Sequence, residues 1–268
     1  MLQVMRSLAD RGAVTELIHL QDQVVDLSTV RVEHDLYVLK STNGLGLSIA
    51  GALHAQGAAI VNPYPVSLAL RDKVVTSRIL QSAGVPTPAT YAAQHPEQLR
   101  PLLEAGPIVV KPYQGGSGAG IRIVHRADEL ADVSPVDRIV FAQRFHPPET
   151  PDLKIYAIGG KIFGVKKVFP RRTEAEKHGE PFTPTPELRE IVRRCGRAFG
   201  IDLYGVDIIE SEGRPYVVDM SSIPGFKGVP DAPSHLAAYL YAAAQRAARA
   251  QPIVVSAAPM EASPERVP

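Results

Sequence analysis

The chain has 268 residues, 45% hydrophobic and 21% charged, the ordinary range for a globular protein able to bury a core. Its 29 Lys and Arg nearly cancel 28 Asp and Glu, so charge gives no case for a nucleic-acid partner or an acidic membrane. A single cysteine excludes an internal disulfide and a Cys-rich metal site, and eight histidines without His-x-x-x-His spacing argue against zinc. No apolar stretch reaches membrane-spanning length, and residues 1–11 lack a signal-peptide pattern, so a cytoplasmic enzyme is expected.

The chain opens on MLQVMRSLADRGA, a helical pattern with Leu2, Met5, Leu8 and Ala9 on one face. VTELIHL (14–20) and HDLYVLKS (34–41) read as short strands. NGLGLSIAGALHAQGA (43–58) reads as a helix and AIVNPYP (59–65) as a strand ended by prolines. This alternation implies a small α/β unit with a parallel sheet, whose usual first strand would precede Met1; a late start of the chain is therefore expected. VSLALRDKVVTSRILQSAG (66–84) reads as one amphipathic helix closed by Gly84, and VPTPATYAA (85–93) as extended chain. Strands at 108–112 and 121–124 flank a glycine run, and RIVFAQRFHP (138–147) supplies another strand.

DLKIYAIGGKIFGVKKVF (152–169) is a hairpin around Gly159-Gly160. RRTEAEKHGEPFTPTP (171–186) reads as a long polar loop. ELREIVRRCGRAFG (187–200) is a helix with Cys195 on its apolar side, LYGVDIIESEGRPYVVDMSS (203–222) a second hairpin, and a helix follows near 233–249. Residues 251–268, rich in Ala, Pro and Ser, read as a disordered tail.

Three features carry chemistry. In VVKPYQGGSGAGIRIV (109–124), Lys111 precedes the glycines and a strand follows them, which fits neither a Walker A loop nor a dinucleotide fingerprint. A hairpin flap remains, with Gly115, Gly116, Gly118 and Gly120 freeing backbone N–H groups for a polyphosphate. Ser117 adds a hydroxyl and Lys111 a point charge; the alternative is a hairpin tip without a ligand. In the second hairpin, a three-residue loop Glu212-Gly213-Arg214 would set Asp207 opposite Asp219, with Ser221 on the same face; an even loop would separate the two acids. Opposed carboxylates in apolar runs call for a cation, and Mg²⁺ suits oxygen donors on a sheet; the alternative is two surface aspartates. In the first hairpin, a two-residue turn puts Asp152, Lys154, Tyr156, Phe163, Val165 and Lys167 on one face. Arg171 and Arg172 extend a positive region, which is either an anion site or a solvated edge.

The order of these parts over residues 60–245 resembles the ATP-grasp superfamily. RDKVVTSRIL, VVKPYQGGSGAGI and LYGVDII look like the lysine helix, lysine strand with flap, and metal strand of RimK-type ligases. LKIYAIGGKIFGVKKVFP and VVDMSSIPGFKGVPDA look like the substrate hairpin and metal motif of ATP-grasp inositol phosphate kinases. The resemblance implies an α/β (α+β) ATP-grasp fold: a short N-terminal unit (1–65), a small lobe with the flap (66–142), a metal-binding lobe (143–250) and the tail, with nucleotide between the lobes. It implies ATP and Mg²⁺ (or Mn²⁺) as cofactors. By position, Lys73, Lys111, Gly115, Gly116, Ser117 and Gly118 would hold phosphates. Gln143, Arg144 and Phe145 would form the adenine linker, mainly through backbone groups. Asp207, Asp219 and Ser221 would hold metal, and Lys154 and Lys167 would face the acceptor.

Arg144 stands where the superfamily usually has an acid, and Ser221 where it usually has asparagine. The implied reaction is activation of a carboxylate as acyl phosphate and its ligation to an amine. The alternatives are phosphorylation of a hydroxyl on a small polyol phosphate, or a nucleotide-binding module with weakened chemistry. The implied partner is a small-molecule or peptide substrate, and a homo-oligomer is compatible with the family.

Overall fold

The computed structural model describes residues 1–20, 24–40, 44–114, 120–135, 138–168 and 173–250. The chain begins with helix α1 (Leu2–Ala9), which buries Val4 and, beside it, Leu8 against the long helix α7 (Ala232–Ala250). The buried face is therefore set by Val4, and Leu2 points to solvent, unlike the face expected from periodicity. Residues 14–20 form no strand: Val14, Leu17 and Ile18 are exposed, and with no neighbouring strand an extended segment has nothing to pair with.

Strands β1 (Tyr37–Val38) and β2 (Ile60–Val61) pair in parallel across helix α2 (Gly44–Ala55), whose Ala50 and Leu53 cover them, so the small α/β unit is present. Just after β2, the buried Asn62 amide donates to Leu203 O (2.6 Å) and Ser222 Oγ (3.0 Å). That polar cluster docks the unit onto the end of the large sheet described below.

The expected single helix over 66–84 is two helices, α3 (Tyr64–Arg71) and α4 (Lys73–Ser82). Asp72 breaks them. It lies in extended conformation, and its carboxylate accepts from the N–H groups of Val74 and Val75 (2.8 and 3.1 Å). The periodicity runs straight through because capping competes locally with helix continuation, and both helices keep apolar faces.

A four-stranded antiparallel sheet orders β3 (Thr90–Ala93), β6 (Val140–Arg144), β4 (Ile108–Lys111) and β5 (Arg122–Val124). Two 3₁₀ runs, Pro96–Ala105 and Ala127–Asp132, cover it through Leu99 and Leu130. A five-stranded antiparallel sheet orders β11 (Arg214–Ser221), β10 (Leu203–Ser211), β7 (Asp152–Ile158), β8 (Lys161–Lys167) and β9 (Glu180–Phe182). The long loop expected at 171–186 thus contains β9 and a short helix α5 (Glu174–His178), whose start is fixed by reciprocal Thr173–Glu176 bonds.

The large sheet has two unlike faces. Leu153, Ile155, Val206, Ile208 and Met220 pack against helix α6 (Pro186–Phe199), each fully buried aliphatic contributing about 1.5–3 kcal/mol. On the opposite face, Tyr156, Ile158 and Leu203 lie under α7, while Lys154, Asp207 and Asp219 continue beyond that cover. The expected β7–β8 register is observed: Asp152 faces Lys167, Lys154 faces Val165 and Tyr156 faces Phe163. Among the described residues no helix is long and apolar enough to cross a membrane.

Cys195 is buried in the α6 core, and burial pushes its thiol up to about 12. The group is therefore protonated at pH 8. Thiol titration with a disulfide reagent should give no reaction in the native protein and one equivalent after unfolding in denaturant.

Candidate functional site

The site grows from β10 and β11. Their turn has two residues, Glu212 and Gly213, both at positive φ (51° and 66°), and pairs Ser211 with Arg214. The expected three-residue loop is thus corrected, and an even loop alone would put Asp207 and Asp219 on opposite faces. A β-bulge at Val218 restores the register: Ile208 pairs with Val217, but Asp207 pairs with Asp219. Ser221 then pairs with Gly205 on the same face.

Each acid has a lysine. Lys154, beside Asp207 on β7, places Nζ 2.7 Å from Oδ1 and 3.0 Å from Oδ2. The hydrogen bond is directed to Oδ2; Oδ1 lies off its direction and is buried without a hydrogen-bond partner. Lys73, at the first turn of α4, sets Nζ 3.5 Å from Asp219 Oδ2, and Asp219 Oδ1 accepts from its neighbour's N–H. Its position depends on the helix break, since Lys73 N–H donates to Tyr113 O (3.0 Å) at the base of the glycine run.

Lys111, ending β4, donates to Gln143 Oε1 (2.7 Å) and to Val218 O (3.2 Å). The bulge carbonyl thereby ties the small sheet to the carboxylate strand. Burial pulls the Lys111 ammonium below the usual lysine range, opposed by Asp219. Burial likewise raises the Asp219 carboxyl above its ordinary range, opposed by Lys73 and reinforced by Asp207. Both charged forms are desolvated and lean on each other.

Gly115, Gly116, Ser117 and Gly118 lie outside the described residues, as do Arg171 and Arg172. The flanks are placed: Gln114 bridges to Asp72, and Gly120 has φ 75°, with Pro112 Cγ 2.9 Å from where a Cβ would sit.

Arg144 does not offer its backbone N–H or its guanidinium to a ligand. Its N–H donates to Ala89 O (2.8 Å), and the Phe145 N–H donates to Pro107 O (3.1 Å). The Arg144 guanidinium donates to the carbonyls of Leu102, Gly106 and Pro107, closing the end of the 3₁₀ run Pro96–Ala105. Both N–H groups and the guanidinium are therefore already engaged within the protein.

Lys167 is also anchored. Its buried ammonium donates to Lys177 O (2.7 Å), Lys227 O (3.2 Å) and Tyr156 Oη (3.2 Å), clamping α5 and the segment after β11 to the first hairpin. The five residues that converge are Lys73, Lys111, Lys154, Asp207 and Asp219. Sequence reasoning missed the Val218 carbonyl and Gly205. The latter had a signal, since a glycine inside a strand pattern marks close approach: a Cβ there would meet Pro224 Cγ at 2.9 Å and Ser221 Oγ at 3.4 Å.

Among the described residues no group of three or more His, Cys, Asp or Glu gathers as a metal site, so the acidic donors here are this pair. Two carboxylates on one sheet face are oxygen donors of the kind that fit Mg²⁺, which keeps waters or phosphate oxygens in its shell; to hold it, Asp207 would give up its Lys154 contact.

A family model described as the RimK-like ATP-grasp domain matches residues 70–241. The chain belongs to that family. Curated RimK-like relatives include a "Probable alpha-L-glutamate ligase" of Xanthomonas campestris pv. campestris, 27% identical over 203 residues and 70% of each chain. One of Xanthomonas axonopodis pv. citri is 28% identical over 207 residues, 70% of this chain and 69% of that one.

Among solved ATP-grasp structures, the D-cycloserine synthetase DcsG shares the fold at TM-score 0.71 and 18% identity, covering 92% of this chain and 94% of that one. A RimK domain ATP-grasp protein from Sphaerobacter thermophilus matches at TM-score 0.71 and 19% identity, covering 89% and 94%. The ATP-grasp ligase PsnB, solved with a phosphomimetic variant of its minimal precursor, Mg and ADP, matches at TM-score 0.68 and 20% identity, covering 91% and 94%.

Arg144→Met should remove three carbonyl partners and destabilise the fold by about 2 kcal/mol in urea denaturation. Nucleotide affinity by calorimetry should stay within about twofold, where loss of an adenine contact would weaken it by about tenfold or more.

Proposed function

We propose that the chain is an ATP-dependent carboxylate–amine ligase working in the cytoplasm on Mg-ATP held between the two sheets. The observation that carries this reading is the convergence of Lys73, Lys111 and Lys154 on the opposed Asp207–Asp219 pair. Asp152 on the same face also acts on Lys111, so the lysines are balanced by acids until a metal takes the carboxylates, which would free them for a polyphosphate. The relatives' ligase names favour amide formation over phosphorylation of a polyol, and PsnB, which shares the fold, was solved with Mg and ADP.

In this reading Mg²⁺ would be held by Asp207, Asp219 and Ser221, and would neutralise charge on the phosphates. Ser221 stands where the superfamily usually has asparagine and would offer a hydroxyl in place of an amide oxygen. Lys111 would exchange its carbonyl partners for phosphate oxygens, a favourable trade because a desolvated ammonium gains more from an anion, and Lys73 would turn from Asp219 to phosphate once the metal takes that carboxylate.

A substrate carboxylate oxygen attacks the γ-phosphorus of ATP, the bond to the bridging oxygen breaks and ADP leaves, giving an acyl phosphate. An amine then attacks the acyl carbon and phosphate leaves, so no protein nucleophile is required. Lys154, released from Asp207, faces the transferring group and offsets the charge that develops there. Lys167 is a positioning residue: it fixes the segment that follows the metal strand, through the Lys227 carbonyl.

Asp219→Asn tests the core of the proposal. Calorimetry should show Mg-dependent ADP binding weakened by about tenfold or more. γ-Phosphate release in the presence of an amino-acid mixture should be abolished, with circular dichroism unchanged. Unaltered binding and turnover would remove Asp219 from the site.

A further inference from the structure

A cavity of about 410 Å³ lies between the N-terminal unit and the segment that follows β11. That volume sits within the ~300–1,000 Å³ usual for small-molecule sites. The segment after Ser221, from Ile223 to Val229, lines one side. Val4 of α1, Val38 and Lys40 at the end of β1, and Leu236 and Leu240 of α7 line the other. The cavity abuts the site already described, because Pro224 from its wall and Ser221 Oγ both come within 3.4 Å of the position a Gly205 Cβ would occupy.

Its chemistry is lopsided. No Asp or Glu lines it, whereas Lys40, His178 and Lys227 do. Two of these are already engaged: Lys227 Nζ pairs with Glu174 (2.9 Å), and His178 Nδ1 lies 2.9 Å from the Glu174 carbonyl. Lys40 differs. Its ammonium donates to neutral carbonyls, Ile223 O at 3.0 Å and Pro224 O at 3.4 Å, and makes no ion pair among the described residues. Desolvation lowers its pKa from the ordinary lysine value, although the residue as a whole remains exposed. Facing it, Val4, Leu236 and Leu240 form an apolar wall.

We propose that this cavity binds the amine substrate, an α-amino acid with an apolar side chain. Its carboxylate lies on Lys40 and its hydrocarbon against Val4, Leu236 and Leu240. The assignment rests on the ligase reading, which requires an amine beside the phosphoryl site. The pairing follows from complementarity: a cation with no acidic partner among the described residues takes one carboxylate, and an apolar wall takes a side chain without polar atoms. A second carboxylate, as in L-glutamate, or a second ammonium, as in L-lysine, would be pressed against that wall unpaired.

Calorimetry of the full chain with L-leucine, L-leucinamide, L-glutamate and L-lysine, each with and without saturating Mg-ADP, tests this. L-Leucine should bind about tenfold or more tighter than the other three. Lys40→Met should weaken L-leucine by about tenfold or more while leaving Mg-ADP affinity within about twofold. No L-leucine binding, equal affinity for leucinamide, preference for glutamate or lysine, or indifference to Lys40→Met would each overturn the assignment. Failure of Mg-ADP to bind would instead overturn the ligase reading, since the leucine and leucinamide titrations without nucleotide report on the cavity alone.

Discussion

The register of one strand pair governs everything at the site. A two-residue turn between β10 and β11 would leave Asp207 and Asp219 on opposite faces of the sheet, one of them inside the α6 core. One inserted residue, Val218, cancels that offset and turns both acids the same way. The bulge also exposes a carbonyl that the ladder no longer needs, and Lys111 takes it from the neighbouring sheet. A single backbone irregularity therefore sets the acidic pair and links the two sheets whose strands carry the site.

Around that pair the protein arranges charge at the expense of stability. Buried ion pairs recover only part of their desolvation cost, and the raised Asp219 carboxyl and lowered Lys111 ammonium are signs of the remainder. The Lys154–Asp207 and Lys73–Asp219 contacts orient the carboxylates and partly offset their charge. The opposite face of the same sheet, packed on α6, supplies the compensating apolar burial. Strand alternation makes this division of labour possible, because neighbouring residues serve the core and the chemistry in turn.

Much of this was legible in the residue order. The Gly159-Gly160 turn fixed the first hairpin's register, the helix around Cys195 buried the thiol, and the small parallel unit formed around α2. The misreadings share a cause. Residues 14–20 have strand-like composition but no neighbour to pair with, and the 66–84 periodicity continues through a cap at Asp72. Periodicity also chose Leu2 for the buried face of α1, where α7 contacts Val4. Arg144 resembles a ligand residue by position, yet its side chain turns to carbonyls on a run some forty residues earlier.

The sequence by itself determined which groups exist and which local elements carry them: a lysine before the glycines, two acids in one hairpin, and a basic first hairpin. Those follow from period-two and period-3.6 patterning and from turn chemistry, which act over a few residues. Only the tertiary structure decided which lysine meets which acid, where the Val218 carbonyl goes, and that Lys167 clamps a loop while Lys40 reaches carbonyls in the wall of a cavity. Those contacts join residues 32 to 183 positions apart, and their partners are selected by packing and desolvation across sheets, which local pattern does not encode.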